Sequence, residues 1–174
     1  MTRHLHSVET CVTCQLFPYT GHMTDWLDDR QQRIWRAWLK LNRELPTALG
    51  RELQAGSDLS MADFEVLVNL TDVPEGRLRI SELASSMNWE RSRVSHHLKR
   101  MAARGLVDRA GCPDDGRGSF VGITRAGREA IEQAAPDHVE AVRRLVIDVL
   151  TDDELETLGR LSDKLLGKLS DSTS

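Results

Sequence analysis

Ile80-Ser81-Glu82-Leu83-Ala84-Ser85-Ser86-Met87-Asn88-Trp89-Glu90-Arg91-Ser92-Arg93-Val94-Ser95-His96-His97-Leu98-Lys99-Arg100-Met101 sets two amphipathic patterns end to end. In the first, positions 80, 83, 84 and 87 are apolar at i, i+3, i+4 and i+7, one face of an α-helix. Asn88 offers a side-chain cap for the next helix, which the pattern places at roughly residues 89 to 104. There Val94, Leu98 and Met101 form one stripe. The other face carries Arg91, Ser92, Arg93, Ser95, His96, Lys99 and Arg100. An α-helix fits the major groove of B-DNA, where Arg pairs bidentately with guanine and Ser or Lys takes phosphates or base edges, so this is the candidate reading helix. His97 falls beside Val94 and Leu98 on the inward stripe and is assigned to packing. Trp89 is placed as a wedge between the two helices.

Downstream, Gly105 sits where a helix C-cap glycine belongs, and Leu106-Val107-Asp108-Arg109 reads as a strand. Its partner is Ser119-Phe120-Val121-Gly122-Ile123-Thr124. Residues 111–118, Gly-Cys-Pro-Asp-Asp-Gly-Arg-Gly, are all turn chemistry. Such a tip carries Arg117 outward, where an arginine can enter a narrow minor groove. Upstream, Val73-Pro74-Glu75-Gly76 is a turn into Leu78, a short third strand beside the hairpin. The resulting order is helix, turn, helix, wing: a mainly α fold with a small β wing.

These pieces resemble the MarR family of winged helix-turn-helix regulators. The resemblance lies in Ser81-Glu82-Leu83-Ala84, Arg104-Gly105-Leu106-Val107, and Asp115-Gly116-Arg117 followed by Ile123-Thr124 and Gly127, and it extends over about residues 25 to 170. It implies that Arg117 is the wing arginine at the minor groove, that Asp115 helps to orient it, and that the polar residues at 91 to 100 contact the major groove. It also implies release of DNA by a small aromatic or phenolic effector. Trp35 and Trp38 are the aromatic candidates for that ligand, and Arg79 and His138 the polar ones.

Charge distribution agrees with a DNA partner although the total does not. The chain of 174 residues carries −4 overall, yet residues 90 to 128 hold nine Arg or Lys against four acids, so +5, leaving −9 elsewhere. Cations gathered on one segment make the surface a phosphate backbone attracts. An apolar fraction of 40% and a charged fraction of 29% describe a soluble globular chain, with no apolar run long enough to span a membrane. A cytoplasmic location follows by default.

The flanks read as dimerisation helices. Residues 24 to 55 form a long helix capped by Thr24 or Asp25 and kinked at Pro46, with Leu27, Ile34, Trp35, Trp38, Leu41, Leu45, Leu49 and Leu53 recurring at helical steps. Ser60 with Asp63 caps a supporting helix, Met61 to Leu70, whose inward stripe is Phe64, Leu67, Val68 and Thr71. Thr124 caps a helix from about 125 to 149, interrupted at Pro136 and resuming through Val139, Val142, Leu145, Val146 and Val149. Thr151 to Glu154 is a capping box for a last helix with Leu155, Leu158, Leu161, Leu165 and Leu169 as its seam, fraying from Ser170. The domain reading is therefore 1–22 a floppy extension, 23–55 and 125–174 dimerisation helices that interleave with a second subunit, and 56–124 the winged DNA-binding domain.

Function follows as a sequence-specific regulator of double-stranded DNA, a repressor acting as a homodimer on a pseudo-palindromic operator. Alternatives are a metal- or redox-responsive DNA-binding regulator and a winged-helix protein-interaction module. His4, His6, Cys11 and Cys14 have spacings that zinc accepts, though a tail with incidental ligands is the simpler reading, and no metal or cofactor is assigned. Cys112 lies among turn residues with cations near it, and its placement away from the dimer helices marks it as incidental. No Walker or Rossmann fingerprint, His-Glu-x-x-His, or separated acid pair is present, so the chain is not read as an enzyme.

Overall fold

The computed structural model describes residues 25–111 and 119–172. Among them the order is α1 (Asp29–Gly56), α2 (Met61–Thr71), β1 (Arg77–Arg79), α3 (Ile80–Ser86), α4 (Arg91–Ala103), β2 (Val107–Gly111), β3 (Ser119–Ile123), α5 (Arg125–Leu145), a 3₁₀ turn at Ile147–Val149, and α6 (Asp152–Asp171). The fold is mainly helical with one small antiparallel sheet, as the sequence implies. The chain divides into two compact units, Met1–Leu39 and Lys40–Ser174.

In the first unit α1 begins later than its apolar pattern suggests. Asp28 caps it: the Gln31 amide donates to Asp28 Oδ1 at 2.8 Å and the Asp28 amide to Gln31 Oε1 at 3.0 Å, a reciprocal box. Thr24 lies outside the described residues, and Asp25 precedes the helix without capping it. Ile34, Trp35 and Trp38 leave an apolar strip of α1 exposed.

In the second unit the core is built around α2. Its N-terminus is closed by Ser60 and Asp63 as the spacing predicts, each side chain bound to the other's amide. The inward stripe is broader than the sequence reading allows: Val66 and Leu70 are wholly buried with Leu67, while Val68 and Thr71 are only half-buried. α3, β3 and α5 all pack on α2, so one face does not suffice. Leu83 of α3, Val94, Leu98 and Met101 of α4, and Val121 of β3 complete the core at 0% exposure. Burying side chains of this size stabilises by about 1.5–3 kcal/mol each.

The sheet has order β1-β3-β2, with Leu78 opposite Val121 and Arg109 opposite Val121 from the other side. The expected third strand is therefore present, and it pairs with the outgoing wing strand. At the end of the wing, the Thr124 hydroxyl donates to the Gly105 carbonyl at 2.7 Å and accepts the Gly127 amide at 3.0 Å. A side-chain carbon at Gly127 would collide with the Leu106 carbonyl, so only glycine allows α5 to start this close to the strand.

α5 corrects two expectations. It runs unbroken through Pro136, because Ile131, Ala134 and Ala141 anchor it by burial on both sides and the proline faces solvent. Tertiary packing outweighs the hydrogen bond that proline forfeits. It ends at Leu145 rather than near 149, and Ala141 is buried where the sequence reading prefers Val139 and Val149, both exposed. α6 has its Thr151–Glu154 box and stays helical to Asp171, past the expected fraying point at Ser170. Leu161, Leu165 and Leu169 on its seam are exposed.

Candidate nucleic-acid interface

The turn between α3 and α4 is closed by the backbone. Asn88 has a φ of 49°, its amide donates to the Ser85 carbonyl at 3.1 Å, and the Trp89 amide donates to the Ala84 carbonyl at 2.9 Å. That pair of bonds is a Schellman closure with Asn88 in the left-handed position. Asn88 thus terminates α3 and does not cap α4, whose N-cap is Glu90 with no side-chain bond. The expected cap fails because Asn88 is committed to the left-handed region and lies two residues before the N-cap of the next helix.

α4 divides sharply by face. Val94, Leu98 and Met101 are fully buried and His97 is 6% exposed, while Arg91, Ser92, Arg93, His96, Lys99 and Arg100 are exposed and Ser95 is half-buried. All seven polar candidates of the reading helix therefore lie on the sheltering core's solvent side. Gly105, at φ 74°, ends this helix with the same closure: its amide binds the Ala102 carbonyl at 2.9 Å and the Leu106 amide binds the Met101 carbonyl at 3.1 Å. Arg109 of β2 then donates to Ser95 Oγ at 3.4 Å, bracing the wing strand against α4. Asp115, Arg117 and Cys112 lie outside the described residues, as do His4, His6, Cys11 and Cys14.

Under the polar face runs a charged network that pattern reading misses. Arg100 Nη2 is 2.9 Å from His97 Nδ1; a guanidinium only donates, so Nδ1 accepts and the ring proton belongs on Nε2. His97 Nε2 stands 3.1 Å from Asp63 Oδ1, though off the line of a hydrogen bond. Asp63 Oδ2 accepts from Arg104 Nη1 at 2.7 Å, and Arg104 Nη2 donates to the Asp58 carbonyl at 2.6 Å. Burial pushes the Asp63 carboxyl up, but the Ser60 amide, the Arg104 guanidinium and the Ser60 hydroxyl together hold it below the ordinary carboxylate value. Burial lowers His97 first; the Asp63 charge opposes this, and Arg100 and Arg104 add to it, so the imidazole stays neutral more readily than a free one. His97 on the inward stripe was legible in the sequence. Its tie to Asp63, and that of Arg104 across 41 positions, was not.

Around Trp89 the arrangement is also specific. Arg93 Cζ is 3.8 Å from the Trp89 ring centroid, and the His97 ring meets Trp89 edge-on at 5.6 Å. Trp89 is half-buried against the core, as a wedge should be.

The ligand candidates have separate settings. Trp35 and Trp38 are exposed on α1. Arg79 lies over the Phe120 ring at 5.1 Å, and its amide is bound by Glu82 at 2.9 Å. His138 packs on Phe64 with ring centroids 4.5 Å apart, and burial lowers its pKa. An open pocket of about 610 Å³ is lined by Gln54, Ser57, Asp58, Arg104, Leu106 and Gln133 among others, and by none of those four. Among the described residues no helix is long and apolar enough to cross a membrane.

Comparison with known proteins places this geometry. Residues 57–118 match the sequence model of the MarR family. The chain is similar to AbsC, a MarR family transcriptional regulator from Streptomyces coelicolor, at 38% identity and a TM-score of 0.80, covering 85% of this chain and 99% of that one. It is similar to Sco3205, a MarR family regulator of the same organism solved in complex with DNA, at 36% identity and a TM-score of 0.79, covering 83% and 94%. It is also 28% identical to the HTH-type transcriptional repressor YetL of Bacillus subtilis over 116 residues, 67% of this chain and 69% of YetL. With its helix-turn-helix, its three-stranded wing and a relative matched over nearly its full length, the chain belongs to the MarR family of DNA-binding transcriptional regulators.

Proposed function

We propose that this regulator is a repressor that binds a pseudo-palindromic operator as a homodimer, and that it does so in the cytoplasm. Each subunit lays α4 in the major groove, offering Arg91, Ser92, Arg93, Ser95, His96, Lys99 and Arg100, while Arg117, oriented by Asp115, enters the neighbouring minor groove. The observation that carries the reading is the division of α4 into a fully buried apolar face and a solvent-facing cationic one. Such a helix presents its donors on a rigid support, which groove readout needs.

Pairing is supported by the exposed apolar strips of two terminal helices: Ile34, Trp35 and Trp38 on α1, and Leu161, Leu165 and Leu169 on α6. Apolar rows of that length on a monomer call for a partner surface, and a second copy supplies one by symmetry. Domain roles follow: residues 23–55 and 125–174 pair the subunits, and residues 56–124 read DNA. Similarity to a protein named as a repressor supports repression over activation. Release by a small aromatic effector completes the proposal, and tryptophan fluorescence during titration with phenolic acids tests that part.

Gel shift across a salt series tests the core. A dimer making many phosphate contacts should lose affinity by ~10³-fold or more between 50 and 200 mM salt. Affinity that barely moves with salt, or a monomer on size-exclusion chromatography, contradicts it.

A further inference from the structure

We propose that Trp89 is a positioning residue for base readout: its indole holds the Arg93 guanidinium ready, and this pair sets the sequence preference of α4. The inference rests on the DNA-binding reading above. Tryptophan is the strongest aromatic partner for a cation, and Arg93 Cζ lies 3.8 Å from its ring centroid, within stacking contact. Stacking engages the flat face of a guanidinium and leaves its N–H groups pointing outward in the plane, where the O6 and N7 of guanine can accept two of them. Arg93 thus gains a fixed attitude without giving up a donor.

The platform is itself fixed from three sides. The Trp89 amide closes α3 on the Ala84 carbonyl, the His97 and Trp89 rings form a T-shaped pair at 79°, and the side chain is half-buried on the core. Three other arginines nearby are differently employed. Arg100 donates to His97, Arg109 to Ser95, and Arg104 to Asp63 and the Asp58 carbonyl. Their donors serve the fold first, whereas Arg93 is exposed and rests over the Trp89 ring.

A double-mutant cycle tests the claim, with Trp89→Leu, Arg93→Ala, the double variant, and Trp89→Phe as a variant that keeps an aromatic face and the packing. The readout is the ratio of affinities for a duplex selected from a random pool and for its scrambled counterpart. Arg93→Ala should cut that ratio by about 5- to 150-fold, the worth of one bidentate base contact. Trp89→Leu should cut it by about 2- to 30-fold, the range of a cation–π contact, and Trp89→Phe by less. In the Arg93→Ala background Trp89→Leu should then change it by less than about twofold, because the partner is gone. A loss of packing alone would appear equally in both backgrounds, and that result overturns the inference. So does an Arg93→Ala variant that weakens both duplexes equally, which would mark a phosphate contact. Wild-type protein that binds no duplex overturns the DNA-binding reading and this inference with it; wild-type binding with additive variants overturns the inference alone.

Discussion

Arg104 Nη1 lies 2.7 Å from Asp63 Oδ2, so the residue that ends the reading helix is tied to the first turn of the central helix α2. The same carboxylate accepts the Ser60 amide at 2.9 Å and the Ser60 hydroxyl at 2.8 Å, so one buried acid both caps α2 and anchors α4. The Arg104–Asp63 contact thus holds the end of the reading helix, while Val94, Leu98 and Met101 seat its length on the core.

Asp63→Asn should therefore lower unfolding stability by about 1–3 kcal/mol, since it weakens a buried carboxylate whose Oδ2 accepts from the Ser60 amide, the Ser60 hydroxyl and Arg104. Arg104→Ala should cost less, about 1 kcal/mol or under, because that side chain is 41% exposed and solvent screens its charge. Urea midpoints at an unchanged slope measure both. Equal midpoints for wild type and Asp63→Asn would mean that the acid does not anchor the helix.

Acid should weaken the fold in two stages. His97 and His138 both titrate below the ordinary imidazole value in the folded chain, chiefly through burial. Below about pH 6.5 the unfolded chain then holds more protons than the folded one, so stability is complete above that pH and is lost as pH falls through the folded values. Asp63, also held below its ordinary value, adds a second loss under about pH 4. Replacing both histidines with glutamine should flatten the dependence between about pH 7 and 5 and leave the lower stage. An unchanged slope in that window would place the responsible groups elsewhere.

Asn88 offers a test of the turn that joins the two helices. At φ 49° a β-carbon is strained unless a short polar side chain helps, so Asn88→Gly should be near neutral and Asn88→Val should cost about 1–2 kcal/mol or more. Thermal unfolding of the two variants decides it. Equal melting temperatures would show that the left-handed turn is not retained in solution.

The helix-turn-helix and wing were legible because their signals are local. Val94, Leu98 and Met101 report a helix face by spacing, Gly105 marks its end, and Thr124 caps the next helix three residues before the amide it receives at Gly127. Reading failed where distant parts decide. Pro136 looks like a break until Ala134 and Ala141 are seen buried on either side of it. Val66 and Leu70 fall off the expected stripe of α2 because three elements surround that helix. Asn88 has the chemistry of a cap, and only its backbone angle shows which helix it serves. For the interface, helical spacing identified the exposed cations of α4 as the face opposite Val94, Leu98 and Met101, whereas the contact of Arg93 with Trp89 and the Asp63 network depend on side-chain directions that no spacing rule supplies.

Selection of DNA from a random pool by the purified full chain, followed by sequencing, tests the central claim most directly. Two copies of α4 related by a twofold axis should enrich an inverted repeat whose half-sites are centred about 10 base pairs, one helical turn, apart. Enrichment of an asymmetric single site, or of nothing beyond the starting pool, would contradict a paired, sequence-reading helix.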